Sequence, residues 1–246
     1  MELEELVRFL DDYLKIGEYS DSSINGLQVE GIQSVEKAAF AVDASIEAFR
    51  RALEIEADML VVHHGLIWRG IERVTGLIRE RLKFLLENEL SLYAAHIPLD
   101  AHPEIGNNAM ILRMIGVEPE EPFGSYGGVK IGFSGYAGLE FEDVLENLEE
   151  RFGDVGYMKF GRDKIEKVAA VSGRGAGYVE EALREGVDLL ITGEMEHSAF
   201  HPAREARINV IYLGHYNSET AGLKALMNVV ADIGIDAEFI DIPTDL

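Results

Sequence analysis

The chain contains no cysteine, which excludes disulfide frameworks, thiolate metal sites and cysteine nucleophiles together. Any bound metal must be held by imidazole and carboxylate, a donor set that suits zinc, manganese or iron better than softer ions. No apolar run is long enough to span a bilayer. The first residues, MELEELVRFLDDYL, carry early acids and apolar residues at helical spacing. They read as an amphipathic helix and not as a signal or transit peptide, so the cytoplasm is the expected compartment. Basic residues are scarce: 22 Lys and Arg stand against 45 Asp and Glu, a formal net charge of −23. Such a field repels phosphate backbones and argues against nonspecific nucleic-acid binding. It also concentrates cations, although a solvated surface suited to a salty or hot cytoplasm accounts for most of the charge.

What is present is an alternation of strands and helices. With 246 residues, 47% of them hydrophobic, the chain can bury one large core or two closely joined lobes. KAAFAVD (37–43) reads as a strand and SIEAFRRALEIE (45–56) as a helix capped by Ser45. DMLVV is the next strand, RERLKFLLENE a helix and LSLYAAH (90–96) another strand. His102-Pro103 is expected to open a further helix. After the proline- and glycine-rich stretch EPEEPFGSYGG (118–128) the pattern resets. FEDVLENLEERF reads as a helix, KVAAVS, DLLIT and NVIYLG (209–214) as strands, and a helix follows from Ser218. This is the signature of an α/β sheet, divided into lobes at 1–122 and 123–246.

The reset conceals a repeat. Residues 35–64 align without a gap on 165–194 at an offset of 130, with Glu36, Lys37, Ala39, Ala52, Leu53, Asp58 and Leu60 recurring as Glu166, Lys167, Ala169, Ala182, Leu183, Asp188 and Leu190. The gapless match and the shared strand–helix–strand boundaries read as a duplication. On this alignment His63 and His64 correspond to Gly193 and Glu194. Two similar lobes facing each other are expected, with chemistry between their strand ends.

The candidate site residues cluster where strands end. His63 and His64 close the DMLVVHHG run. Neighbours on an extended strand point to opposite faces, so a turn at Gly65 is required if both rings are to reach one site. His96 and Asp100 lie in HIPLD, directly after LSLYAA, and His215 and Glu219 lie in LGHYNSE after another strand. Three strands thus deliver histidine at what reads as the same edge of a sheet, the position where α/β folds place ligands. No serine sits in a nucleophile elbow, so a hydrolytic triad does not fit. Several imidazoles with two carboxylates exceed the needs of one catalytic zinc. They suit two metals roughly 3.5–4 Å apart, bridged by a carboxylate and a water.

DSSINGLQVEG, VVHHG, AAHIPLD, TGE and GHYNSE, in this order and spacing, resemble the GTP cyclohydrolase I type 2 homologues, the Nif-three-like dinuclear-metal family, nearly end to end. The resemblance implies a three-layer α/β/α fold of two similar interlocked lobes. It also implies two divalent metals per chain held by His63, His64, Asp100, His215 and Glu219, with Glu219 as the bridge and His96 beside them. It implies a homohexamer with a central cavity, into which the sites face. Larger relatives insert a third domain between the lobes, and 118–128 marks its vestigial place here. The expected activity is metal-dependent hydrolysis of a nucleotide or small phosphorylated substrate, with Glu194 or His96 moving protons. The rival is a noncatalytic metal-storage, metal-delivery or regulatory scaffold, which the −23 charge fits slightly better because that charge repels anionic substrates.

Several weaker features stay open between two roles. GRGAG (173–177) reads as a phosphate cradle or a tight turn. Asn25 and Gln28 hold the site's rim or a turn, and Asp43 touches the site or caps a helix. Trp68 and Tyr126 are candidates for stacking on a base. His197 and His201 would share a helical face, with His201 expected nearer the cavity and His197 nearer solvent.

Overall fold

The computed structural model describes residues 1–244. Its strands are β1 (Gly26–Val29), β2 (Lys37–Asp43), β3 (Met59–His64), β4 (Ser91–Ala94), β5 (Glu121–Tyr126), β6 (Val129–Glu140), β7 (Gly156–Met158), β8 (Lys164–Val171), β9 (Leu189–Thr192), β10 (Asn209–Tyr212) and β11 (Asp236–Phe239). They form two sheets, ordered β1-β4-β3-β2-β11 and β5-β6-β8-β9-β10-β7, and helices alternate with the strands along the chain, as an α/β chain requires. Among the described residues no helix is long and apolar enough to cross a membrane.

The described residues divide into two compact units: 1–99 with 223–242, and 100–222 with 243–244. This differs from a cut at 122/123 for two physical reasons. The helix Asn107–Met114 packs on β6 and β8, and β11, near the carboxyl end, pairs in parallel with β2 of the first sheet. Nor is 118–128 a break between the lobes. Most of it is β5, paired antiparallel with β6 from Glu121–Ser134 to Tyr126–Val129.

In the first unit β2, β3 and β4 run parallel and are buried almost throughout, as expected of central strands covered on both faces. One face carries Ala39, Ala41, Leu60, Val62 and Leu92 into a core with Ala48, Phe49 and Ala52 of the helix Ile46–Glu54 and Leu85 of the helix Gly76–Glu87. Ser45 caps the former, its hydroxyl accepting from the Ala48 N–H at 3.1 Å. The N-terminal helix Leu3–Leu14 buries Leu3, Leu6, Leu10 and Leu14, the i, i+3, i+7, i+11 stripe of its amphipathic pattern. Its Asp11 accepts a hydrogen bond from buried Tyr93 of β4 at 2.8 Å. The second unit's core joins Val168, Ala170, Leu189, Ile191 and Ile211 of its sheet to Val144, Leu145 and Leu148 of the helix Phe141–Phe152.

The repeat extends well beyond the thirty residues visible in the sequence. β8 pairs with β9 in the register of β2 with β3: Val168–Leu189 matches Ala38–Met59, and Val171–Thr192 matches Ala41–Val62. The outer strands match as well. Gly26–Ala94 and Leu27–Tyr93 in β1–β4 have their counterparts in Gly156–Tyr212 and Tyr157–Ile211 of β7–β10. Here β1 keeps the offset of 130 but β4 shifts to 118, because the paired positions Leu189 and Asn209 of β9–β10 are twelve residues closer in sequence than Met59 and Ser91 of β3–β4.

Shared side chains explain the shared residues. Asp58 Oδ2 accepts from the N–H groups of Glu36 and Lys37 at 2.8 and 3.0 Å, and Asp188 Oδ2 accepts from Glu166 and Lys167 at 2.9 and 3.0 Å. Each aspartate therefore clamps the start of the neighbouring strand. The Gly31 N–H donates to Ser91 Oγ and the Gly161 N–H to Asn209 Oδ1. A β-carbon at either glycine would strike a carbonyl oxygen, that of Glu89 at 2.2 Å or of Arg207 at 2.5 Å.

Two helix expectations are corrected. His102-Pro103 opens a turn, and the next helix begins at Asn107 after Gly106. His102 Nδ1 instead accepts from the N–H groups of Glu104 and Ile105 at 3.3 Å. The helix expected from Ser218 is two pieces, His215–Ser218 and Thr220–Asp232, with Glu219 at the junction.

Candidate metal centre

The first unit brings three imidazoles together. β3 runs through both His63 and His64, and His96 follows β4, its parallel neighbour. Ring centroids lie 4.9 Å apart for His63–His64, 5.1 Å for His63–His96 and 5.7 Å for His64–His96. Each ring offers a nitrogen within 4.8 Å of the others'. The strand ends at His64 and Gly65 lies outside it, where the turn was expected.

Each ring is oriented through Nδ1. His63 Nδ1 lies 2.9 Å from the Ala95 carbonyl oxygen, His64 Nδ1 2.9 Å from Asp43 Oδ1, and His96 Nδ1 2.8 Å from Asp21 Oδ2. A carbonyl can only accept, so Nδ1 of His63 carries the proton and the lone pair of the neutral ring is on Nε2. A backbone carbonyl or carboxylate on one nitrogen, with the other left to ligate, is the arrangement that fixes metal-binding histidines. Burial would raise Asp21, but hydrogen bonds from His96, Asn25 and the Ser23 N–H, with the charge of His96, outweigh it. They hold its carboxyl far below the usual carboxylate range. Asp43 is thus a partner of His64, while Ser45 takes the capping role. Asn25 Oδ1 accepts the His96 N–H at 2.8 Å, and Gln28 Oε1 accepts from Leu66 and Ile67 at 2.7 and 3.0 Å. Asn25, directly before β1, and Gln28, within it, therefore hold the rim of the cluster; the segment is a strand and not the turn that NGLQV suggested.

The second unit assembles carboxylates around one imidazole. His215 follows β10, whose counterpart in the repeat is β4. The histidines therefore end strands of two sheets, two strands in the first and one in the second, and not one edge. His215 Nδ1 lies 2.5 Å from Glu194 Oε1 and its Nε2 3.3 Å from Glu219 Oε1. Glu219 is buried. The hydrogen bond to Glu219, opposed by burial and aided by the charges of Glu219 and Glu194, pushes the His215 imidazolium up to about 9. Such a site draws positive charge.

Gly173 is the wall of this cluster. It has φ +56°, and a β-carbon there would lie 2.6 Å from Glu219 Oε1. Asp100, also buried, has Oδ1 2.9 Å from both Asn107 Nδ2 and Ser172 Oγ. Glu194 Oε2 is 3.4 Å from Arg174 Nε, so both of its oxygens are engaged. Imidazoles with oriented Nε2 atoms and buried, hydrogen-bonded carboxylates are a donor chemistry that fits borderline divalent ions.

The family model described as Duf34/NIF3 (NGG1p interacting factor 3) matches residues 1–245. The chain belongs to the Duf34/NIF3 family. It is similar to a GTP cyclohydrolase 1 type 2 homolog from Archaeoglobus fulgidus, at 57% identity with all of both chains covered. Among solved structures it resembles the protein ybgI, described as of unknown function, with TM-score 0.93, 33% identity and full coverage of both chains. It also resembles TTHA1606 from Thermus thermophilus, with TM-score 0.91, 42% identity and full coverage of both.

Against this NIF3 fold, the residues that escaped the sequence are those acting through another side chain. Asp21 orients His96, Asn107 and Ser172 hold Asp100, and Arg174 pairs with Glu194. Asp21 opens the DSSINGLQVEG motif, so its place was signalled but not its role. Of the peripheral candidates, GRGAG spends two N–H groups internally: Gly173 donates to Ser218 Oγ at 3.0 Å and Gly175 to Thr192 Oγ1 at 2.9 Å. That is the behaviour of a tight turn. His197 and His201 are both exposed on the helix His197–Ala206, so exposure does not set the two apart. Tyr126 ends β5 and is exposed; Trp68 lies beside His96.

Proposed function

We propose that this chain binds two divalent metal ions, zinc, iron or manganese, through His63, His64, Asp100, His215 and Glu219. We further propose that it hydrolyses a nucleotide or small phosphorylated substrate with them, a GTP cyclohydrolase-like activity in the sense of its relatives' names. The observation that carries the reading is the tethering of imidazole Nδ1 atoms to Ala95, Asp43 and Asp21, which orients three clustered rings in the way metal-binding histidines are oriented. When bound, such ions supply a water acidified towards neutrality and polarise the bond under attack. The chain's own part is to hold and to move protons. His96, paired with the depressed Asp21 carboxylate, is the group placed to take up and release a proton at Nε2. Glu194, with one oxygen on His215 and the other on Arg174, positions His215 in preference to transferring protons itself. Cytoplasmic location, a small-molecule substrate and a homohexamer with a central cavity belong to the same proposal, by family likeness.

The −23 charge favours one second reading, a noncatalytic metal-storage or regulatory scaffold, because a field of that sign opposes an anionic substrate. Turnover separates the two. GTP and generic phosphoesters are assayed with and without chelator, beside the His63→Ala, Glu219→Ala double variant. Hydrolysis abolished by both treatments is the expected result. Hydrolysis that survives both sinks the metal-hydrolase reading, and no turnover by fully metallated protein favours the scaffold.

A further inference from the structure

Trp68 is the chain's sole tryptophan, and its indole stands at the edge of the imidazole cluster. Its ring centroid lies 5.1 Å from that of His96, edge-on at 73°, and 6.3 Å from that of His64. The residue is nonetheless 39% exposed, so burial does not explain its placement. The backbone around it is held on several sides. Gln28 accepts from Leu66 and Ile67 and donates to the Ile24 carbonyl at 2.6 Å. The Ile24 N–H donates to Ile67 O at 3.0 Å, and the Arg69 N–H to Ser22 O at 2.7 Å. Gly65 makes room for this arrangement, since a β-carbon there would fall 2.4 Å from Gln28 Nε2. The loop is also peculiar to the first copy of the repeat: β3 is followed by ten residues and more before its helix starts at Gly76, whereas β9 is followed almost at once by the helix from His197.

The indole N–H already donates to the Gly65 carbonyl at 2.9 Å. What the ring offers a ligand is therefore its π face, not a hydrogen-bond donor. We infer that Trp68 is a stacking platform for the planar heteroaromatic part of the substrate, which makes the substrate class a nucleotide and not a simple sugar phosphate or phosphoester. The inference rests on the metal-centre reading above and deepens it. A face of this kind accepts any base, because every base has a π surface; choice among bases has to come from elsewhere.

The test uses the full-length, zinc-loaded protein and three probes: guanosine 5′-monophosphate, cytidine 5′-monophosphate and ribose 5-phosphate. Tryptophan emission is followed in the native protein, and calorimetric titration is run on it beside Trp68→Leu and Trp68→Phe, with zinc content measured for each. Both nucleotides quench the emission and ribose 5-phosphate does not. Trp68→Leu weakens nucleotide binding about tenfold or more, Trp68→Phe restores most of it, and neither changes binding of ribose 5-phosphate. Nucleotide affinity unchanged in a zinc-replete Trp68→Leu, or ribose 5-phosphate binding the native protein as tightly as the nucleotides, overturns the stacking role and leaves the metal reading standing. A Trp68→Leu protein that has lost its zinc also overturns it, by assigning Trp68 to the support of His96. Native protein that takes up no zinc fails the metal reading instead.

Discussion

Replacing Gly173 with alanine puts a single methyl group against the His215–Glu219 cluster. The position has φ +56°, a left-handed conformation that costs a β-carbon-bearing residue about 1–2 kcal/mol. In a chain of this size that lowers the melting temperature of the metal-free protein by roughly 2–8 °C. The steric effect is more specific. The new β-carbon would lie 2.6 Å from Glu219 Oε1 and 3.5 Å from Cε1 and Nε2 of His215. A carbon and an oxygen settle at about 3.3 Å or more, so the carboxylate must retreat by roughly 0.7 Å while the imidazole stays nearly in place. A shift of that size at a carboxylate proposed as a ligand should weaken divalent-metal affinity at least as much as the loss of a ligand's support does, about 10–100-fold. Gly177 is the control in the same loop, because a β-carbon there meets nothing within 4 Å. Zinc affinity is measured by competition with a chromophoric chelator, and melting is followed in the presence of a chelating agent. Gly173→Ala should lose both stability and affinity, and Gly177→Ala neither. A Gly173→Ala protein with native zinc affinity refutes the placement of Glu219 in the metal site.

The remaining expectations concern the supports of the site and of the repeat. Asp43→Asn removes the carboxylate that orients His64 and should cost about 10–100-fold in zinc affinity with melting temperature nearly unchanged; titration calorimetry and melting decide. Asp58→Ala and Asp188→Ala each remove the acceptor of an equivalent pair of backbone donors and should each cost about 1–3 kcal/mol in urea unfolding, so one neutral variant beside one costly one contradicts a shared clamp. Burial would raise Asp188, but its hydrogen bonds from Arg162, Glu166 and Lys167 and the charge of Arg162 hold its carboxyl below the usual range. The stabilisation this brings is present above the unfolded value of about 3.9 and is lost as pH falls through the folded value. The stability gap between native protein and Asp188→Asn should therefore close in acid below about pH 4, and a gap unchanged across that range counts against the assignment.

Where strands carry unbroken apolar runs, the fold was legible. KAAFAVD is β2 end to end, and FEDVLENLEERF is the helix Phe141–Phe152 end to end, because burial on both faces, or on one helical stripe, dictates the pattern. The edges were not legible. β5 is built from EPFGSY, whose proline and glycine read as the break where the pattern resets, yet an edge position tolerates both. β1, β7 and β11 are three or four residues long and are defined by their partners, not by their own composition. The repeat was visible only as far as 64/194 because the connection after it differs in length, so a gapless comparison loses register just before β4 and β10. In the site, residues with strong chemistry at strand ends stood out, and their supports did not. Asp21 lies 75 residues from His96, and only the fold brings the two together.

The central proposal is that the chain binds divalent metal through its oriented imidazoles and buried carboxylates. Elemental analysis of protein purified without added chelator, then reloaded with zinc, iron or manganese and desalted, tests it most directly. The account predicts about two ions per chain, with most of the binding lost in the His63→Ala, Glu219→Ala double variant. Fewer than one ion per chain in native protein, or a double variant that binds as much as the native chain, contradicts it.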